Sequence, residues 1–331
     1  MPYDTAASVI QFSMKTLLVF LVAIVLAGAS VVKGCSVETW TTKAFRGNAG
    51  LVEKYRVLEC PDLLDTLSQR SAVLDVSSAS HDVKFKAKFV TDEIRFNREI
   101  SAYARITKRK RRKDSPPSEF ITVHDSCVLT QPQLGGIPST SAPAFLGVVI
   151  MDAGDQDLRA FGGECGRLEA EHLCHIGRTM VNILGVIHSR GLVWSDAKLS
   201  NFVVMPFPSP STPCIGGSER AHSKAAPLIR AIDFESAVEA NAPLCDFSPE
   251  IAAPEQLEAL LSGVMTSAAG RSEDAILSKV RGLPAASPSV DVWAVGISLL
   301  WLHLGKPPIT DDPTDVAGAV RELERYNRGD S

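Results

Sequence analysis

The chain predicts an α+β protein in which a small, sheet-rich lobe precedes a larger, mainly helical one. Three observations carry this. Leu63–Phe89 alternates apolar and polar residues and is rich in Val, Ser and Asp, the pattern of two or three strands. Phe145–Asp152, FLGVVIMD, is a continuous apolar run with the length of a strand buried on both faces. Beyond it the apolar residues recur mostly at helical spacing, and strands followed by helices are the order of an α+β fold. With 331 residues, 45% of them hydrophobic, there is enough chain to bury a sizeable core. A formal net charge of −4 gives no general reason to expect nucleic acid as a partner, and none is expected.

At the N-terminus, TLLVFLVAIVLAGASVV, residues 16–32, is uncharged and strongly apolar. Its length lies between a long signal-peptide core and a short membrane span, which takes roughly 17–25 residues. Read from Met14, with a cleavage region at the small residues Ala27, Gly28, Ala29 and Ser30, residues 1–32 form a signal peptide. Left uncleaved, they anchor the chain at a membrane. Only Lys15 precedes the run, whereas Lys33, Lys43 and Arg46 follow it, so an anchor would keep the downstream domain cytosolic. Both readings stay open, and with them the compartment, secretory or membrane-attached. Residues 33–59 are mixed in pattern and read as a linker.

From Asp92 to Ile106 the period becomes helical, with Ile94, Ile100, Tyr103 and Ile106 as the candidate buried face. The basic run Lys108–Lys113 repels itself and reads as a solvated loop. Residues 166–190 give the clearest helical signal, with Leu168, Leu173, Ile176, Met180, Leu184 and Ile187 on one face. Pro206–Pro213 and Ala285–Pro288 are loops by turn chemistry. Val292–Leu304 is apolar all round yet too short to span a bilayer, so it reads as a helix buried at the centre of a domain. The seven cysteines show no C-x-x-C pair, which argues against a zinc site and reads as scattered free thiols.

Chemistry concentrates in two places. GLVWSDAKLSNFVV, Gly191–Val204, sets Asp196, Lys198 and Asn201 on a short polar stretch after the long helix. Further on, IRAIDFES puts Asp233 at the end of a short apolar strand. Phosphoryl transfer from a nucleotide needs this set: a carboxylate to take the acceptor's proton, a lysine to screen the moving charge, and an amide oxygen and a second carboxylate for the metals. Asn201 and Asp233 supply the hard oxygen donors that magnesium prefers.

These stretches resemble the protein kinase catalytic loop, H-R-D-x-K-x-x-N, and the strand ending in D-F-G. Other segments resemble the family in the same order. KAKFVTDEIRFNREISAYARI, 86–106, is similar to the third strand and its following helix, with Lys88 and Glu99 as the partnered pair. VVIMDAGDQDL, 148–158, is similar to the strand and hinge that meet the adenine. Ala253-Pro254-Glu255 matches A-P-E, and SVDVWAVGISLL, 289–300, matches the buried helix with its leading Asp291.

The resemblance covers roughly residues 60–310. It implies a two-lobed protein-kinase-like fold, with an N-lobe over 60–151 and a C-lobe over 152–331. It further implies ATP and Mg2+ as cofactors and a protein as substrate. Asp196 would be the catalytic base and Lys198 the phosphate-facing lysine, with Asn201 and Asp233 holding magnesium and Lys88 with Glu99 positioning the phosphates. Met151 would back the adenine pocket, backbone groups of Asp152 and Gly154 would bond the base, and Asp291 would brace the catalytic loop.

The departures from the pattern matter equally. The loop reads Trp194-Ser195-Asp196, so a phosphate on the following segment loses its usual arginine. Glu235 stands where glycine is expected after Phe234. Leu67–Val76, read as the phosphate-covering loop, contains no glycine, so backbone N–H groups cannot approach phosphates as closely. Lys86 stands where a small residue normally packs on adenine, and is itself an alternative to Lys88. Forty residues follow Asp291, so the last helices of the larger lobe are expected to be missing. The leading expectation is a serine/threonine protein kinase. Alternatives are a pseudokinase acting as a binding or scaffolding module and a small-molecule phosphotransferase, which the A-P-E segment disfavours.

Overall fold

In the computed structural model, residues 49–58, 71–80, 83–108, 119–129, 145–165, 168, 170–206, 227–244, 246–259, 284–309, 318, 320–322 and 325 are described. The chain is a mixed helix-and-sheet protein, as predicted. A short helix, α1 (Ala49–Lys54), leads into β1 (Tyr55–Val57), β2 (Ser71–Ser78) and β3 (Lys84–Val90). Helix α2 (Glu93–Thr107) follows, then β4 (Val123–Leu129) and β5 (Leu146–Asp152). The five strands form one antiparallel sheet in the order β1-β2-β3-β5-β4. Part of the segment read as a linker therefore belongs to the sheet, because Tyr55 and Val57 alternate inward and pair with Ser78 and Val76. Of the stretch expected to cover a phosphate, Leu67–Val76, residues 71–76 lie inside β2 and residues 67–70 lie outside the described residues.

Strand β5 is buried on both sides, which is why it reads as an unbroken apolar run. Ala87, Phe89, Leu146, Val148 and Ile150 pack with Leu51 on one face. Val90, Val149 and Met151 turn to the other face and join the main core. Because Lys88 pairs with Val149 and Lys86 with Met151, both lysines lie on this second face.

Helix α2 starts where Asp92 accepts a hydrogen bond from the Arg95 N–H, an N-cap. Its buried stripe is Phe96, Glu99, Ala102, Tyr103 and Ile106. Ile94, expected inside, is 70% exposed, because this arc and not its neighbour meets β5. The helix and sheet touch at Gly147, where a Cβ would overlap the Phe96 ring. Gly147→Val should therefore push α2 off the sheet and lower stability by roughly 1–3 kcal/mol, the usual range for overpacking, measured by urea denaturation. An unchanged midpoint would show that the ring moves aside freely.

After β5 come β6 (Gln156–Asp157), α3 (Leu158–Cys165) and the long α4 (Ala170–Ser189). Ile176, Met180, Leu184 and Ile187 are buried along α4 as the spacing predicted; Leu168 is buried just ahead of it and Leu173 is half-buried. Gly191, at φ +70°, turns the chain into β7 (Leu192–Val193). A 3-10 turn (Leu199–Asn201), β8 (Phe202–Val204) and β9 (Ile229–Ala231) follow, β8 and β9 pairing antiparallel. Then come β10 (Val238–Glu239), a second 3-10 turn (Pro249–Ile251) and α5 (Pro288–Leu304).

Helix α5 ends on Gly305 at φ +71°, whose N–H caps the Trp301 carbonyl. It is not buried all round among the described residues: Val290, Asp291, Ala294, Val295, Ser298 and Leu302 face inward, while Val292, Leu300 and Leu304 are exposed. Cys165 is disulfide-bonded, which corrects the reading of all seven cysteines as free thiols. Among the described residues no helix is long and apolar enough to cross a membrane; residues 16–32 lie outside them, as do all of the basic run but Lys108.

Candidate active site

Four stretches of backbone meet below the second face of the sheet. Strand β3 contributes Lys88, almost wholly buried, whose three ammonium donors each find a carboxylate. Nζ lies 2.9 Å from Glu99 Oε2 on α2, 2.9 Å from Asp233 Oδ1 and 3.4 Å from Glu235 Oε2. Lys86 instead pairs with Asp75 across the β2–β3 ladder at 2.8 Å. The choice between the two lysines is thus made in favour of Lys88, the one beneath α2.

Burial opposes charge on Lys88, but Glu99, Asp233 and Glu235 outweigh it and hold its pKa well above the usual lysine value. Burial also pushes Glu99 up, to about 7; Lys88 counters this, while Asp233 and Glu235 add to it. For Asp233, burial is overcome by Lys88 and Lys198, which keep it low. Glu235 is raised by burial and by the neighbouring Asp233. Three acids thus compete for one lysine, and each brings an oxygen within 4.8 Å of the others. Glu99 Oε1 is buried without a hydrogen-bond partner.

The polar stretch between β7 and β8 holds the second group of side chains. Asp196 Oδ2 is 3.0 Å from Lys198 Nζ and accepts from Asn201 Nδ2 at 3.2 Å; that amide also donates to the Asp196 carbonyl at 2.8 Å. Asp196 Oδ1 is buried and has no partner. Lys198 donates to Ser248 Oγ at 2.8 Å. Burial would lower the Lys198 pKa, but Asp196 and Glu250 raise it. The Ile232 N–H donates to the Asn201 carbonyl, tying this loop to the strand that ends at Asp233.

This loop is held from beneath by Asp291, fully buried at the start of α5. Its Oδ2 accepts from the Trp194 N–H at 2.8 Å and lies 2.8 Å from His188 Nε2; its Oδ1 accepts from the Ser195 N–H at 2.6 Å. Ser195 and Asp233 both have positive φ, 64° and 63°, a conformation that ordinary side chains adopt only when the surroundings impose it. Trp194 does specific work that sequence reading passed over. Its indole Nε1 donates to the Asp233 carbonyl at 2.8 Å, and its ring packs on Phe202 and Phe234.

At the end of β5, Met151 is buried on the same sheet face as Lys88. The Asp152 N–H donates to the Thr122 carbonyl. The Asp152 carboxylate is clasped by His124 at 2.6 Å and Arg230 at 2.8 Å. Burial raises its pKa, but hydrogen bonds from His124 and Thr122 and the Arg230 charge bring it below the usual value. Gly154 lies against β8, where a Cβ would come 2.8 Å from the Val203 Cβ.

All nine expected site residues are therefore described, and direct bonds join six of them into two groups: Lys88, Glu99 and Asp233, and Asp196, Lys198 and Asn201. Met151, Asp152 and Gly154 stand apart from both, at and just after the end of β5. Arg95, Arg98, Asp246 and Ser248 went unnoticed in the sequence, although the two arginines stand one helical turn apart and near Glu99. Glu255 is exposed, while the adjoining Ala252 and Ala253 are buried, the Ala252 carbonyl accepting from Trp293 Nε1. Compared with protein-family models and with curated proteins, the chain matches none.

Proposed function

We propose that this protein has a two-lobed kinase-like fold and transfers the γ-phosphoryl group of ATP, with Mg2+, to a serine or threonine hydroxyl of a protein. The observation that carries the reading is the state of Asp196. Its carboxylate is fixed through one oxygen by Lys198 and Asn201, while the other is buried and unpartnered, as a base awaiting a hydroxyl proton would be. Asn201 commits its amide nitrogen to Asp196, which leaves its oxygen, with Asp233, as hard donors for magnesium. Magnesium bound there would neutralise charge on the phosphates. Lys88, held by Glu99, is the cation for the α- and β-phosphates, and Lys198 screens the transferred group.

A second reading, a pseudokinase that binds or scaffolds, draws on two observations. Glu235 occupies part of the bonding capacity of Lys88. The face that would cover an adenine carries the Lys86–Asp75 ion pair beside the exposed Val73. Thermal shift of the full chain with ATP, with and without magnesium, separates the readings. The expected result is a magnesium-dependent stabilisation that disappears in Lys88→Met and Asp233→Asn. A cooperatively folded protein with no shift would defeat the phosphotransfer reading in favour of the scaffold.

A further inference from the structure

Arg95 and Arg98 both turn from α2 toward the chain that follows Asp233, and each guanidinium joins two points on it. Arg95 donates to Glu235 Oε1 at 3.0 Å and to Asp246 Oδ1 at 2.8 Å. Arg98 donates to the Glu235 carbonyl at 2.9 Å and reaches Asp246 Oδ2 at 3.5 Å. The backbone of Asp246 is held as well, since Ser195 Oγ lies 2.8 Å from its carbonyl and 3.1 Å from that of Ser236. These side chains are only 19–24% exposed, so the pairs are less screened than surface ion pairs. Ser195, where the resembling family has an arginine, is too short to grip a phosphate; it bonds the backbone directly. Both arginines come from α2, the helix that carries Glu99, and Lys88 of β3 also reaches Glu235.

We infer that Asp246 is a positioning residue, a fixed carboxylate that fastens the segment after Asp233 to α2 and so keeps Glu99 against Lys88 with no phosphoryl group on that segment. What this serves rests on the phosphotransfer reading; the fastening itself does not. In this arrangement the anchor is part of the sequence, and the site assembles on folding without a modifying enzyme.

Hydrogen exchange of the full chain, followed by mass spectrometry over Glu93–Thr107, tests the anchor. Asp246→Asn keeps the shape and removes the charge. It is expected to speed exchange in α2 at least tenfold while β3 and β5 stay protected; Asp246→Ala should do the same, and Asp246→Glu should restore most of the protection. Phosphatase treatment of the unmodified chain should change nothing. Unaltered α2 exchange in Asp246→Asn, failure of Asp246→Glu to rescue, or faster exchange after phosphatase would each overturn the inference. Should Asp246→Ala fail to fold, the Asn and Glu variants decide the matter. Mg·ATP affinity measured on the same samples keeps the two readings apart. A chain that binds no nucleotide yet shows the expected exchange pattern defeats the phosphotransfer reading and leaves the anchor standing.

Discussion

Under the proposed phosphotransfer function, Asp196→Asn is expected to lower the rate of transfer by about 10²–10⁴-fold, the usual worth of a general base, while Mg·ATP affinity stays within about threefold. The amide is nearly isosteric with the carboxylate and can still accept from Asn201, so the loop should keep its shape. What it loses is the basic oxygen, since Asp196 Oδ1 is the atom with no partner. It also loses the charge facing Lys198 3.0 Å away. Steady-state transfer to a serine-containing protein, with nucleotide binding measured in parallel, checks both halves. An undiminished rate would remove Asp196 from the role of base; joint loss of rate and binding would show a structural part instead.

The largest expected effect on stability is at Asp291. Its carboxylate accepts from the backbone N–H groups of Trp194 and Ser195 and contacts His188, all from a fully buried position. Asp291→Ala strands two buried N–H donors. At about 1–3 kcal/mol for each unsatisfied group, the variant should lose about 2–6 kcal/mol. Asp291→Asn keeps one acceptor and should lose less. Urea denaturation of the three proteins tests the order. A loss below about 1 kcal/mol in Asp291→Ala would mean that water or a shifted backbone replaces the carboxylate. The variant should also disturb the loop that carries Asp196, because Asp291 holds the N–H groups of Trp194 and Ser195 just ahead of it.

Much of this was legible in the sequence because it rests on local pattern. β5 was readable as a strand buried on both faces because its apolar run is unbroken, and α4 because its buried residues keep helical steps. Asp196, Lys198, Asn201 and Asp233 could be singled out because their chemistry and order along the chain go together, whereas Lys88 and Glu99 were expected from the family resemblance. Helix α2 shows the limit. Its period was plain, but Ile94 was placed inside and proved exposed, since periodicity identifies a stripe only once the neighbouring surface is known. Likewise α1 and β1 were too short to give a periodic signal, and β1 exists through its pairing with β2. The disulfide at Cys165 left no mark in the cysteine spacing.

By itself, then, the sequence determined the α+β class, the long helices, the buried strand and the identity of the acids, amide and lysines available for chemistry. The tertiary structure alone decided which lysine meets Glu99, that Glu235 turns inward to Lys88 and Arg95, and that Arg95 and Arg98 clasp Asp246. These partners are up to about 150 positions apart in the chain. A side chain's charge is written at its own position, but its partner depends on which faces are left facing each other once the apolar surfaces have packed.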